Sequence, residues 1–189
     1  MAGSGGSANN TDCADSTAVA AAADVGHAGT VLAHVGLGSN LAQPARQVAA
    51  AMHRLAAWPG VRRFRGSRLY RSPPWGLQSQ PDFINAVASF HYSGSAPVLL
   101  AGLLAIEREA GRVRGGERWG PRVLDLDLLD FAGQRIELPG LSLPHPRIAE
   151  RAFVLLPLHE LSPDLHLPGL GPVAMLAAKV DRQGVAALD

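Results

Sequence analysis

The order of the apolar segments constrains the fold of this chain more than any other feature. Apolar patterns typical of buried strands or amphipathic helices occur, in order, over Val31 to Leu37, Pro44 to Trp58, Val61 to Arg71, Phe83 to Tyr92, Pro97 to Ala110 and Val123 to Phe131. Their types run strand, helix, strand, strand, helix, strand, which is the ferredoxin-like order. We therefore predict an α/β (α+β) protein with a ferredoxin-like βαββαβ core.

The segments outside this core are assigned as tails or as an addition to the domain. Residues 1–30 consist largely of Ala, Gly, Ser, Asn and Asp and contain no Lys or Arg, which predicts a disordered N-terminal tail. From Gly133 onward the sequence predicts a C-terminal hairpin and helical addition, with short Pro-bounded helices around Pro146 to Leu161 and a weak helix from Val173 to Val180. We expect one domain over residues 31–180, followed by a C-terminal tail over residues 181–189.

The composition excludes several broad classes of protein. The formal net charge is +1, so the overall field of the molecule favours neither nucleic acid nor an acidic surface as a partner. The sequence has no run of about 18 apolar residues, so we predict no membrane span. Cys13 is the only cysteine, which excludes an internal disulfide, and we expect a cytoplasmic protein.

A basic, glycine-rich segment lies between Arg112 and Arg122. It contains four Arg and three Gly residues, and guanidinium groups this close together repel one another unless an anion lies among them. Glycine allows such a loop to change shape around a ligand, so the segment suits a polyphosphate that it covers after binding. The alternative is a solvated charged turn. Trp119 argues against it, because a large aromatic side chain in a flexible polar loop is costly without a packing partner.

Two aspartates follow this segment at a spacing that places them together. Residues i and i+2 of a strand point to the same face, so Asp125 and Asp127 are expected side by side, with the neighbouring leucines on the opposite face. Like charges in this arrangement destabilise a strand unless a cation joins them. Mg²⁺ prefers carboxylate oxygens, water and phosphate, and two such ions form a clamp for phosphoryl-group displacement. The alternative is an aspartate pair on the solvated face of an edge strand.

Several segments together resemble one known family. They are Gly38-Ser39-Asn40, Gln80 to Asn85, Gly111 to Arg114, Arg118 to Asp127, and Pro144-His145-Pro146. Their order and spacing are similar to those of 6-hydroxymethyl-7,8-dihydropterin pyrophosphokinase of folate biosynthesis. The similarity extends from about residue 31 to residue 180, so it implies that the single domain is a pterin pyrophosphokinase domain.

The resemblance implies a ferredoxin-like fold and an ATP-dependent diphosphotransferase. The implied reaction moves diphosphate from ATP to the hydroxymethyl group of a reduced pterin and releases AMP. It also implies two Mg²⁺ ions as cofactors, with ATP and the reduced pterin as partners. The resemblance implies a monomer, while the low net charge and the lack of a long apolar run predict that the protein binds neither nucleic acid nor membrane.

Site residues are carried over by position within the matching segments. Asp125 and Asp127 are expected to bind both metal ions. The residues expected to act directly on the reacting phosphates are Arg112, Arg122 and Asp127. Those expected on the nucleotide side are Glu107, Arg114, Arg118, Trp119, His145 and Arg151. Those expected to form the pterin pocket are Ser72, Pro73, Pro74, Trp75, Phe83, Asn85 and Phe153, with the pterin held between the two Phe rings.

Other interpretations of the same residues stay open at this point. A ferredoxin-like order is shared with sheet-based nucleic-acid-binding modules, although the aromatic and basic pattern of such modules is missing from this sequence. A catalytically silent nucleotide-binding regulator is a second alternative. Phe83 and Phe153 are also compatible with ordinary core positions, and His145 with a turn between two prolines.

Overall fold

The computed structural model describes residues 29–76, 79–112 and 120–188. Its helices are α1 (Pro44–Ala56), α2 (Ala96–Glu109), α3 (Ala152–Leu161) and α4 (Val173–Lys179), and a 3₁₀ turn spans Ile148–Glu150. Its strands are β1 (Val31–Ser39), β2 (Val61–Gly66), β3 (Tyr70–Ser72), β4 (Phe83–Tyr92), β5 (Asp125–Phe131), β6 (Ile136–Leu138), β7 (Leu141–Leu143), β8 (His166–Leu167), β9 (Gly171–Pro172) and β10 (Ala186–Ala187). None of these helices is long and apolar enough to span a bilayer.

The main sheet has the strand arrangement predicted from the sequence. Strands β4, β1 and β5 lie side by side in that order, and β2 and β3 follow one another along the other edge of β4. Every pairing in the sheet is antiparallel. This is the ferredoxin-like order, so the predicted fold class is confirmed. The predicted hairpin after Gly133 is formed by β6 and β7.

The segment from Val61 to Arg71, which the sequence predicts as one strand, is divided into two. Ser67 causes the division because it pairs with Val87 of β4 in an irregular way: its N–H donates to the Val87 carbonyl, and its hydroxyl accepts from the Val87 N–H. The same hydroxyl donates to the carbonyl of Arg68. A side-chain oxygen thus replaces a backbone acceptor, and the regular ladder is interrupted.

The sheet separates two apolar layers. On the first face, alternate residues of β1, such as Val35, pack against α1 and α2 through leucines that include Leu55 and Leu103. On the second face, Val87 and Leu129 pack against α3 and α4. Each fully buried leucine stabilises the fold by about 1.5–3 kcal/mol. Helices α3 and α4 cover only part of the second face, and the uncovered part contains the site described below.

The two ends of the chain differ from one another. Residues 1–28 of the predicted N-terminal tail lie outside the described residues. At the other end, the predicted tail over residues 181–189 contains β10, which pairs with β3 in the main sheet, and the Leu188 N–H donates to the Leu69 carbonyl. The sequence gives no sign of this pairing because two alanines carry no strand pattern. An open edge strand nevertheless offers backbone groups that a short segment can pair with.

A buried hydrogen-bonded network of His34, Asp130 and Ser162 joins the sheet to the end of α3. His34 of β1 is fully buried and Asp130 of β5 is 1% exposed. The His34 Nδ1 lies 3.2 Å from Asp130 Oδ2, and its Nε2 lies 3.0 Å from the Ser162 hydroxyl. A buried imidazole needs a partner at each nitrogen, so these contacts fix both the ring and the helix that ends beside it.

We expect Asp130→Ala to destabilise the fold by about 1–3 kcal/mol, because it leaves a buried His34 nitrogen without its partner. Urea unfolding measures this change. Asp164→Ala is the matched control, because Asp164 also lies near the end of α3 but is exposed, and it should change stability by less than about 0.5 kcal/mol. Equal effects of the two substitutions would contradict a stabilising role for this buried network.

Candidate active site

The uncovered part of the second sheet face forms a cleft with a floor of small residues. Gly36 and Gly38 of β1 line it beside Asn85 of β4. A Cβ atom at Gly38 would lie 3.2 Å from Asn85 Oδ1, and one at Gly36 would lie 3.4 Å from a methyl carbon of Leu129. Side chains at these two positions would therefore press on Leu129 and Asn85, and the glycines line the cleft without side chains of their own. Neither glycine is among the site residues predicted from the sequence.

The acidic edge of the cleft has the predicted geometry. Asp125 and Asp127 line the cleft with side chains 23% and 35% exposed, whereas Leu126 and Leu128 are buried in the core on the opposite face. Both carboxylates therefore project from the same side of β5. This confirms the same-face expectation, which follows from the two-residue period of a strand.

Three arginines bind these carboxylates. The Arg112 Nη1 donates to Asp125 Oδ1 at 2.5 Å, and the Arg122 Nη1 donates to Asp125 Oδ2 at 2.8 Å. The Arg151 Nη1 donates to Asp127 Oδ2 at 3.1 Å. The structure thus brings both predicted aspartates and three of the predicted arginines into one cluster. The remaining residues predicted for the loop, Arg114, Arg118 and Trp119, lie outside the described residues.

Glu107 lies beneath this cluster. Its side chain is 1% exposed, its Oε1 accepts the Leu126 N–H at 2.7 Å, and it forms an ion pair with Arg112. Burial raises the pKa of Glu107; the Leu126 N–H and Arg112 oppose that rise, and the negative charges of Asp125 and Asp127 add to it. Glu107 is predicted from the sequence to lie on the nucleotide side. In this structure it anchors Arg112 and β5 from below, and its place on the nucleotide side stays a prediction.

Arg112 is held by carboxylates on two sides. Burial alone would lower the pKa of Arg112, but the neighbouring Asp125 and Glu107 carboxylates reverse this effect, and the pKa of Arg112 is raised. The guanidinium group is therefore charged at any physiological pH. Arg112 also directly precedes the undescribed residues 113–119, so it joins the anchored part of the site to the predicted loop.

His145 borders the same cluster. Its Nε2 lies 3.9 Å from Asp127 Oδ2, and its Nδ1 accepts the N–H of Arg147 at 3.2 Å. Burial lowers the pKa of His145, with Asp127 opposing the shift and Arg151 reinforcing it. The ring is therefore neutral at neutral pH. Because Nδ1 accepts a hydrogen bond, we assign the proton to Nε2, on the side of Asp127.

The predicted pterin pocket adjoins the charged cluster. Its lining includes Ser72, Pro73, Trp75, Phe83, Asn85 and Phe153. Asn85 is 5% exposed and its Nδ2 donates to the buried Ser72 hydroxyl at 3.0 Å, which fixes the orientation of the amide. Phe83 and Phe153 are half-buried and face the cleft, so they are not simply core residues. Pro74, also predicted for the pocket, is buried and is not among the residues that line the cleft.

Asn40 is a positioning residue that was not among the site residues predicted from the sequence. Its side chain is 3% exposed, and its Oδ1 accepts the Arg122 N–H at 2.8 Å while its own N–H donates to the Arg122 carbonyl. Its Nδ2 donates to Gln80 Oε1 and to the Pro81 carbonyl. Asn40 therefore holds the backbone of Arg122 against the segment that leads into β4. The sequence marks this residue only by its position directly after a buried strand and within the Gly38-Ser39-Asn40 segment of the family resemblance.

The donor set suits a hard cation only together with other ligands. Within residues 29–76, 79–112 and 120–188, no group of three or more His, Cys, Asp or Glu side chains is arranged to hold a metal ion. The two carboxylates of Asp125 and Asp127 are nevertheless oxygen donors on one partly exposed face. Mg²⁺ is commonly held by one or two carboxylates, with water and substrate phosphates completing its shell. The residues present therefore fit Mg²⁺ that arrives with a polyphosphate.

The fold and this site together define a class of protein. A ferredoxin-like sheet carries two carboxylates and three arginines beside an aromatic-walled pocket. This arrangement is typical of an enzyme that transfers a phosphate-containing group from a nucleotide to a planar substrate.

Comparison with known proteins makes the class specific. A family model for 7,8-dihydro-6-hydroxymethylpterin-pyrophosphokinase (HPPK) matches residues 34–163. The 2-amino-4-hydroxy-6-hydroxymethyldihydropteridine pyrophosphokinase of Methylorubrum extorquens is 44% identical over 153 residues, which cover 81% of this chain and 96% of that protein. The protein of the same name from Pseudomonas aeruginosa is 45% identical over 152 residues, which cover 80% of this chain and 93% of that protein. The chain belongs to the HPPK family.

Solved structures agree with the fold. A crystal structure of Plasmodium falciparum HPPK-DHPS A437G with pteroate superimposes with a TM-score of 0.61 at 14% sequence identity. The match covers 79% of this chain and 43% of that one. The wild-type protein with pteroate gives a TM-score of 0.63 and covers 42% of its chain. This chain therefore spans less than half the length of those structures, and at this identity the likeness concerns the fold alone.

We expect Glu107→Gln to change how stability depends on pH. A carboxyl whose pKa is raised by folding contributes stability that is present at low pH and lost as pH rises through the raised value. The free energy of unfolding of the natural chain, minus that of Glu107→Gln, should therefore increase as pH falls from about 7 towards the ordinary pKa of a glutamate. Urea unfolding at several pH values measures this gain. Parallel curves would show that folding does not raise the pKa of Glu107.

Proposed function

We propose that this chain transfers diphosphate from ATP to the hydroxymethyl group of 6-hydroxymethyl-7,8-dihydropterin, with release of AMP, in folate biosynthesis. In this reaction the pterin alcohol oxygen bonds to the β-phosphorus of ATP. The bond between that phosphorus and the α,β-bridging oxygen breaks, AMP leaves with the oxygen, and the alcohol loses its proton. The observation that carries the proposal is the Asp125–Asp127 pair, bound by three arginines at the edge of an aromatic-walled pocket. Membership of the HPPK family supports the choice of substrates.

Asp125 and Asp127 are the residues that would hold two Mg²⁺ ions, as both project from one face of β5 into the cleft. When bound, the ions would neutralise phosphate charge and lower the pKa of the attacking alcohol. A carboxylate that binds a metal ion is a poor base, so we do not assign Asp127 the role of general base. The rate enhancement then depends on alignment of the two substrates and on neutralisation of charge.

The arginines change partners in this proposal. The positive charges of Arg112, Arg122 and Arg151 balance the negative charges of Glu107, Asp125 and Asp127, so the cluster is neutral as it stands. The phosphates of ATP offer oxygens that guanidinium groups bind through paired hydrogen bonds. Arg112 and Arg122 would exchange their hydrogen bonds to Asp125 for hydrogen bonds to the phosphates. Arg151 would likewise exchange its hydrogen bond to Asp127. The carboxylates are thereby released for their own ligands.

Two anchors keep this exchange local. Asn40 holds the backbone of Arg122 through hydrogen bonds in both directions, so only the side chain of Arg122 has to move. Glu107 keeps its bond to the Leu126 N–H when Arg112 leaves, and β5 keeps its position. His145, neutral beside Asp127, would contribute its Nε2–H as a hydrogen-bond donor on the phosphate side.

The pterin is proposed to lie between Phe83 and Phe153. Offset stacking of aromatic rings contributes about 0.5–1.5 kcal/mol for each pair beyond the area buried. Asn85, oriented by Ser72, would bind the polar edge of the ring. This arrangement would place the hydroxymethyl group on the side of the cleft that carries the aspartates. We further propose a cytoplasmic monomer that acts on these two small molecules. Paired carboxylates on the open sheet face disfavour a nucleic-acid partner.

We expect Asp127→Asn to reduce AMP formation by at least about 10²-fold, because it removes a negatively charged ligand of the Mg²⁺ ions that neutralise the reacting phosphates. AMP is measured from ATP and Mg²⁺, with and without the hydroxymethyl-dihydropterin. Asp164→Asn, an exposed aspartate away from the cleft, should behave like the natural chain. Release of AMP that does not depend on the pterin would refute the proposed reaction, and normal turnover by Asp127→Asn would refute the metal assignment.

We expect Arg112→Ala to lower kcat by about 10²-fold or more while it weakens ATP binding much less, because Arg112 reaches the phosphates only when the site closes. Steady-state kinetics together with calorimetric binding of a non-hydrolysable ATP analogue separate the two effects. Arg108→Ala, on the exposed side of α2, is the matched control and should alter neither quantity. Equal losses in kcat and in nucleotide affinity would show that Arg112 acts in the ground state.

A further inference from the structure

The Trp75 ring in the pocket wall lies against two arginines from a different part of the chain. The guanidinium carbon of Arg147 is 4.8 Å from the ring centroid and that of Arg151 is 5.2 Å from it. Both distances lie within the range of about 6 Å for cation–π attraction. Arg147 and Arg151 flank the 3₁₀ turn Ile148–Glu150 that precedes α3. The wall of the pterin pocket is therefore docked on the segment that supplies an arginine to the phosphate side.

Arg151 has fewer polar contacts than its position demands. Its Nη1 donates to Asp127 Oδ2 at 3.1 Å, while its Nε is buried and has no hydrogen-bond partner in the described part of the chain. Its side chain is only 14% exposed. One hydrogen bond does not fix the plane of a guanidinium group, so its orientation depends on the rings around it. Those rings are Trp75, at 5.2 Å, and Phe153, at 5.9 Å.

We infer that Trp75 is a positioning residue: its ring holds the guanidinium group of Arg151 beside Asp127, and so joins the pterin wall to the phosphate-binding side of the cleft. The inference rests on the proposed role of Arg151 towards the phosphates of ATP. The hydrogen bond to Asp127 is lost when Arg151 turns to a phosphate, whereas the attraction of a ring face needs no exchange of partners. Trp75 therefore guides Arg151 through that change.

Arg147 supports the ring itself. Its Nε lies 3.7 Å from Glu150 Oε2, and its backbone N–H donates to His145 Nδ1, so both of these partners lie outside the pterin pocket. Arg147 thus gives the Trp75 ring a second cation to lie against. The order of support runs from Arg147 to Trp75 and from Trp75 to Arg151.

A residue that served only as a wall of the pterin pocket would affect pterin binding alone. The decisive measurement is therefore made without pterin: calorimetric affinity for a non-hydrolysable ATP analogue in the presence of Mg²⁺. Trp75→Leu keeps apolar bulk but removes the ring, and we expect it to weaken nucleotide binding about 10-fold. Trp75→Phe keeps a ring face and should remain within about threefold of the natural chain. Unchanged affinity in Trp75→Leu overturns the inference.

The matched control is Trp58→Leu. Trp58 follows α1 and packs against Gly102 of α2, outside the cleft. This substitution removes an indole of the same size and should leave nucleotide affinity unchanged. Arg147→Ala is a second variant that leaves the pocket wall intact, and we expect it to weaken nucleotide binding about threefold through the loss of support for the ring. Affinity equal to that of the natural chain would overturn the role of Arg147.

A double-mutant cycle shows whether Trp75 acts through Arg151. In an Arg151→Ala background, Trp75→Leu should cause no further loss of nucleotide affinity, because the group that it positions is gone. If the fold-losses in nucleotide affinity of the two single variants multiply in the double variant, the inference is overturned. Pterin-dependent AMP release by the natural chain is measured alongside. Its absence would refute the proposed function, whereas its presence together with multiplying losses would refute only the positioning role.

Discussion

The electrostatic problem of two aspartates on one strand face governs the rest of this site. Asp125 and Asp127 are two residues apart on β5 and face the same cleft, where their charges repel each other. The positive charges of Arg112, Arg122 and Arg151 offset this repulsion. Glu107 in turn holds Arg112, and Asn40 holds Arg122. Much of the polar architecture around the cleft therefore serves to keep a closely spaced carboxylate pair available.

The sequence was most informative where a local period decides the outcome. The exact span of β4, from Phe83 to Tyr92, was predicted from its apolar run, and the two-residue period placed both aspartates on one face of β5. The ferredoxin-like order also followed from the sequence of strands and helices, because it needs only the type of each element and not its boundaries. Family resemblance then added residues such as His145 and Arg151, whose types alone carry little information.

What the sequence did not reveal depends on partners distant along the chain. The division between β2 and β3 arises because Ser67 meets Val87, and no local pattern marks that meeting. The burial of Glu107 depends on the backbone of Leu126 lying above it. A charged residue near the end of an amphipathic helix is usually exposed, so sequence periodicity alone does not predict an anchor here. The contact of Trp75 with Arg151 likewise exists only in three dimensions.

The closing of the sheet edge by β10 has a consequence for the pocket. Strand β3 ends at Ser72 and leads directly into the wall at Pro73, and β10 pairs with Tyr70 and Arg71 of the same strand. Gly184, at φ +72°, packs so closely on Pro73 that a Cβ atom there would lie 3.0 Å from its ring. The segment from Gly184 to Leu188 thus braces the wall of the cleft at Pro73. Variation in these residues, which are not among those that line the cleft, would be transmitted to the shape of the pocket.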